Sequence, residues 1–259
     1  MMVDALPAVA VRPYRRSDRA RVRAIVCATA FRNRGHHVML GDADLFADYW
    51  SSYYTDHEPE SCMVAEREGV VVGYLFGCVD SLRYQRTMAR AIVPSVLRRL
   101  IVRSAGEALH GRLRECRLLR WLLLRAWREA PSIDLHRYQA HYHLNLLRAA
   151  TGERLYTRMA IDFMRRAEAQ GAVGAHGQVL DRLENGVWQR LVRDFTLLHP
   201  DVLVVESVRE STMELALGAD VTHEADSHGP PVRWANRAFG AAIPDFISVL
   251  QWMRKWRRL

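Results

Sequence analysis

The chain has 259 residues, 49% of them hydrophobic and 25% charged, values that suit one enlarged domain or two small ones and argue against disorder. Its net charge of +8 is carried almost wholly by arginine, Lys255 being the only lysine; that balance favours anionic partners such as phosphates, CoA, nucleic acid or acidic lipid, and equally describes a solvated basic surface. Cys27, Cys62, Cys78 and Cys116 form no C-x-x-C pair, which argues against a cysteine-based zinc or redox site and makes a reducing, cytoplasmic setting the simplest expectation; neither a signal peptide nor a transmembrane run is expected.

From the N-terminus, Val9 to Tyr14 reads as a short strand, and Ser17-Asp18 offers a helix cap ahead of Val22, Ile25, Val26 and Ala30 at helical spacing. Ala43 to Tyr54 predicts a second helix. Met63 to Glu66 and Val70 to Val79 read as strands around Arg67-Glu68-Gly69, which has hairpin-turn chemistry.

Residues 81–135 break the strand pattern. Val93, Val96, Leu97, Leu100 and Ile101 predict a helix with Pro94 in its first turn, and Leu118 to Trp127 predict another. Arginines stud both, and their excess over acidic residues accounts for the net charge. The Trp/Leu run is apolar on too many sides for a lone solvent-facing helix, so it calls for burial against the core, a sister subunit or lipid. No nucleic-acid recognition motif accompanies the basic residues, and nucleic acid is not an expected partner.

After this block the pattern alternates: strand (His141 to Leu147), helix (Leu155 to Ala169, ended by Gln170-Gly171), strand (Val173 to Val179), helix (Glu184 to Phe195) and strand (Val202 to Ser207). Thr212 to Leu217 is read as a final strand, His223 to Pro231 as a loop, and Pro244 to Trp256 as an amphipathic helix. The whole is expected to be one domain, with 81–135 a helical insertion and 220–259 a C-terminal extension.

Several stretches resemble the Gcn5-related N-acetyltransferase (GNAT) family. Val11 to Asp18 looks like its opening strand and helix start, and Val64-Ala65-Glu66 with Gly69 and Val71 to Tyr74 like its second and third strands. Tyr138-Gln139-Ala140-His141-Tyr142-His143-Leu144 is similar to its fourth strand in the subgroup reading Y-x-A-H-L-H, and Gly171 to His176 to that subgroup's fifth. The resemblance covers about three quarters of the chain and implies an α/β (α+β) fold. That fold has a central, mixed, mostly antiparallel sheet whose fourth and fifth strands splay, flanking helices, and here a helical insertion after the third strand.

It further implies acyl transfer, most simply acetyl from acetyl-CoA, to an amine on a small molecule or peptide. The fourth-strand edge (His143 to Leu147, hence Leu144, Asn145, Leu146 and Leu147) would bond the pantetheine arm, and the turn and helix start at Thr151, Gly152, Glu153, Arg154, Leu155 and Tyr156 would cradle the pyrophosphate, with Asn185 a further contact. Arg154 and Tyr156 stand where the family has glycine or alanine, Trp188 stands where it has alanine, and Leu191 to Phe195 lacks its tyrosine. These departures keep a second reading open, a GNAT-fold protein that binds a ligand or partner without ordinary acetyl transfer. A third is a protein acting at a membrane surface or other interface through the Arg/Trp/Leu block, which also suits a homodimer contact.

For chemistry, His141 and His143 lie two apart on a strand and so share a face. A neutral imidazole is the natural base near pH 7, and His176 on the next strand can join them. Glu66 is a further candidate base. Structural hydrogen bonding accounts for the histidines, and a surface charge for Glu66, just as readily. No metal is expected.

Overall fold

The computed structural model describes residues 8–109, 114–150, 154–213 and 233–256. Strand β1 (Ala10–Pro13) leads into helix α1 (Arg19–Asn33), and helix α2 (Ala43–Ser52) follows. Asp42 caps α2, its carboxylate accepting from the Leu45 amide at 2.8 Å. Asp18 gives α1 no side-chain cap; its carboxylate instead takes the Arg15 amide and the Arg12 guanidinium. Strands β2 (Met63–Arg67) and β3 (Val70–Cys78) form the expected hairpin. Glu68 and Gly69 both take positive φ, as a tight two-residue turn between right-twisted strands requires.

The insertion is helical over its described residues from Ser81 to Glu129, apart from a turn at Arg125, and 130–135 are irregular. Helix α3 (Ser81–Thr87) passes through a π turn (Met88–Ile92) into helix α4 (Val93–Leu109), and helices α5 (Arg114–Leu124) and α6 (Ala126–Glu129) come next. Pro94 therefore does not open a new helix. The coil widens just before it, with the Val93 amide reaching Met88 O five residues back, which accommodates a residue that cannot donate. Leu118 is buried and Trp121 and Leu122 lean on the same core, but Leu123, Leu124 and Trp127 are 53%, 55% and 66% exposed. The buried Glu129 carboxylate ties the end of the insertion to the rest of the chain by accepting from Trp121 Nε1 (3.2 Å) and the Thr212 amide (2.8 Å).

The second half runs β4 (His141–Leu146), α7 (Leu155–Ala169), β5 (Gly174–Arg182), α8 (Val187–Leu198), β6 (Val205–Ser211), β7 (Trp234–Ala242) and α9 (Ile243–Trp256). The strands make two antiparallel ladders, ordered β1-β2-β3-β4 and β5-β7-β6. Among the described residues a single parallel bridge, Ala140 to Ala175, joins them. The core is correspondingly double. Tyr74, Phe76 and Cys78 of β3 face α1, α2 and the insertion, while Leu75 faces α7 and α9 together with Met63 and Ala65.

Three sequence expectations are corrected here. Strand β6 begins at Val205, because Val202 is spent in the turn after α8, its amide bonded to His199 O. The strand expected at Thr212 to Leu217 is not seen at Thr212 or Met213, and 214–217 lie outside the described residues. The segment read as a C-terminal extension instead holds β7, the middle strand of the second ladder, paired along its length with β5 and β6. Its sequence, Trp-Ala-Asn-Arg-Ala-Phe-Gly-Ala-Ala, is poor in strand formers and lacks alternation. All of it but Asn236 and Ala242 is buried, on both faces alike, so it carries little period-2 signal.

Candidate active site

The site begins where β4 and β5 part. The Ala140 amide donates to Gly174 O (3.1 Å), and the His176 amide donates to Ala140 O (2.8 Å); beyond these bonds the strands separate. Gly174 permits the approach, since a Cβ there would lie 2.3 Å from Arg137 O. Ladder parity then decides what the cleft sees. Leu147 bonds Val72 of β3, so residues 141, 143 and 145 also turn their backbone groups to β3. Tyr142, Leu144 and Leu146 share the parity of Ala140 and present theirs to the cleft. Of the expected edge His143 to Leu147, Leu144 and Leu146 thus offer backbone groups to a ligand, whereas Asn145 and Leu147 do not.

Side chains on β4 alternate the other way. His141 and His143 border a cavity of about 680 Å3 that His176, Trp50, Tyr54 and Tyr84 also line, while Asn145, on the same face, donates to Tyr74 OH (2.9 Å). The three predicted histidines are brought together, the rings of His141 and His176 lying 5.1 Å apart. Their tautomers follow from their partners. Ser81 Oγ donates to Gln139 O, so at 2.7 Å from His141 Nδ1 it accepts from that nitrogen; His141 Nε2 then accepts from Tyr54 OH (3.0 Å). His143 Nε2 accepts from the Asn145 amide (3.3 Å), and its Nδ1 faces Tyr74 OH (3.4 Å). His176 Nδ1 lies 2.8 Å from the Tyr138 carbonyl and must donate to it, leaving the lone pair on Nε2 of a ring that borders the cavity.

All three imidazoles are held neutral. Burial lowers His141 well below the usual range, helped by its two histidine neighbours; burial alone takes His143 down to about 4, and it lowers His176 too, against the Tyr138 contact. Glu66 is not part of this site. It pairs with Arg12 on the β1–β2 face, 2.5 Å from Nη2, and lines neither cavity described here. Among the described residues no group of His, Cys, Asp and Glu is placed to hold a metal ion.

The opposite side of the cleft is narrow. A cavity of about 100 Å3 lies among Tyr142, Tyr156, Trp188 and Phe195, floored by Phe246 and Leu250 of α9. The Tyr142 and Tyr156 hydroxyls meet across it at 3.2 Å. Burial, then Tyr156, raises the Tyr142 phenol well above its usual range. Thr151, Gly152 and Glu153 lie outside the described residues. Arg154 is exposed at the start of α7 in a left-handed conformation (φ 53°), and the Leu155 side chain is buried in the core. Asn185 is exposed two residues ahead of α8, also left-handed (φ 54°), and lines neither cavity. The N-terminus of α8 is satisfied from within: the Asp181 carboxylate accepts from the amides of Val187, Trp188 and Gln189 at 2.9–3.2 Å.

Trp50, Tyr54, Ser81, Tyr84, Tyr142 and Gln178 were not singled out in the sequence. Tyr142 had a detectable signal, since its neighbours in the H-Y-H run were already candidates; the others come from remote elements that carry no motif.

No protein-family model matches the chain, and no curated protein matches it. Among solved structures, the chain is similar to one described as SsHAT, at 22% identity over 92% of this chain and 99% of that one, with a TM-score of 0.54. It is also similar to the polyamine N-acetyltransferase of Drosophila melanogaster, at 14% identity over 91% and 100% of the two chains, with a TM-score of 0.47. The split antiparallel sheet with flanking helices is the GNAT fold expected from the sequence. At 22% identity the likeness to the first of these structures shows the fold and leaves the chemistry to the site.

Proposed function

We propose that the protein is an acyl-CoA-dependent N-acyltransferase, with acetyl-CoA its simplest donor, that acylates an amine held in the 680 Å3 cavity. The observation that carries this reading is His176: its Nδ1–H is fixed on a backbone carbonyl, so Nε2 is kept as a neutral base beside the cavity where β4 and β5 part. An acyl-CoA supplies an activated acyl carbonyl. The chain's own part is to hold the amine, take the ammonium proton at His176 Nε2 and position the amine nitrogen. Tyr142, which borders both cavities, is the hydroxyl best placed to return a proton on the donor side. The backbone groups of Leu144 and Leu146 suit the amides of a pantetheine arm.

A second reading is favoured by one observation. The donor-side cavity of about 100 Å3 is well below the roughly 300–1,000 Å3 of an ordinary cofactor pocket. A GNAT-fold protein whose donor groove has closed, leaving a binding protein, would look like this. Calorimetry with acetyl-CoA separates the two. Binding in the micromolar range, with thiol release when an amine is added, supports the enzyme; no heat at millimolar acetyl-CoA overturns it.

A further inference from the structure

We infer that the acceptor is a monoamine on an uncharged aromatic body, taken with its ring against Trp50; this rests on the acyl-transfer reading for its chemistry but not for its binding. The first observation is the cavity's electrostatics. Among the described residues Asp134 is the one carboxylate on its wall, and that group is exposed and already accepts from the His136 and Arg137 amides (2.9 and 3.4 Å). Among the described residues neither arginine nor lysine lines it, and its buried histidines are neutral. An acceptor with a second ammonium would find there, among the described residues, no buried carboxylate to offset the loss of its water. An acceptor with a carboxylate or phosphate finds no arginine or lysine among the described lining residues.

The second observation is the wall itself. Tyr54, Tyr84 and Trp50 border the cavity beside Leu82, Ile133 and Leu135. Trp50 packs edge-on to Tyr49 (5.2 Å between centroids) and lies tilted over His143 (5.8 Å, 31°), yet remains 38% exposed. A large indole left accessible at the wall of a cavity, and steadied by two rings, is a stacking platform. Its position also fits the chemistry. The imidazole it leans on is two residues from His141, which touches His176, so a ring on Trp50 leaves a short side arm to carry its amine toward the base.

The test uses the full chain with 2-phenylethylamine and putrescine as probes, first by calorimetry without donor and then by thiol release with acetyl-CoA. Phenylethylamine is expected to bind roughly tenfold or more tightly than putrescine. Trp50→Leu is expected to weaken phenylethylamine binding about fivefold or more and to raise KM with little change in kcat, while Trp50→Phe keeps most of the affinity. Thermal melts of both variants confirm that they fold. Putrescine binding as well as phenylethylamine, no binding of either probe, or indifference to Trp50→Leu overturns the inference. Phenylethylamine binding lost with Trp50→Leu, without thiol release, upholds the aromatic-amine site and overturns acyl transfer; thiol release with putrescine alone upholds transfer and overturns the aromatic acceptor.

Discussion

The two sides of the β4–β5 cleft are built from the same two strands and differ in nearly everything else. The insertion side holds about 680 Å3, lined by neutral histidines and aromatic rings; the α7–α9 side holds about 100 Å3 among apolar side chains. Side-chain alternation on β4 creates the difference, sending His141 and His143 one way and Tyr142 the other. What lies opposite fixes the outcome. The helical insertion stands back from its face of β4, whereas α9 packs against α7 and brings Phe246 and Leu250 up to the cleft. Under the proposed acyl transfer, the roomy side is a preassembled acceptor site, and the narrow side is the one that must yield to the donor.

The sharpest way to break this contrast is at the base. His176→Gln should lower kcat/KM by about 10²–10⁴-fold with acetyl-CoA binding unchanged, read by thiol release beside calorimetry; an unaffected rate would move the base elsewhere. On the donor side, Trp188→Ala should enlarge the small cavity and lower KM for acetyl-CoA about three- to tenfold, at a stability cost of about 2–4 kcal/mol in denaturant titration. A rise in KM would show that the indole contacts the donor instead of obstructing it.

Acid should act mainly on the insertion side. The imidazole pKa values are lowered on folding, so the unfolded chain binds more protons below about pH 6.5; stability is present above that value and lost as pH falls towards about 4, the folded value of His143. His143→Gln should flatten this part of a Tm–pH profile, and an unchanged slope would refute the assignment. Asp181→Ala, which strips three amides at the start of α8, should cost about 1–2 kcal/mol by thermal melting. Smallest of all, Glu66→Gln should leave kcat within about twofold and cost about 1 kcal/mol or less, because its partner Arg12 retains Asp18; a large loss of rate would return Glu66 to the site.

Much of the first ladder was legible in the sequence. The 67–69 turn and the strands beside it follow from local rules, as does the H-x-H face of β4. Less could be read where an element's character comes from neighbours distant in sequence. Strand β7 lacks alternation because both of its faces are buried, and Pro94 sits in a continuing helix because a π turn precedes it. The cavity wall joins Trp50 of α2, Tyr84 of α3 and His176 of β5, three positions that share no spacing.

By itself, the sequence determined the alternation of elements and the placing of two histidines on one face of one strand, since both depend on backbone periodicity. Tertiary structure alone decided which nitrogen of each histidine keeps its lone pair, that Glu66 is an ion-pair partner outside the site, and that one side of the cleft is roomy while the other is nearly filled. Those outcomes depend on hydrogen-bond partners, burial and the seating of α9, all set by contacts between residues far apart in the chain.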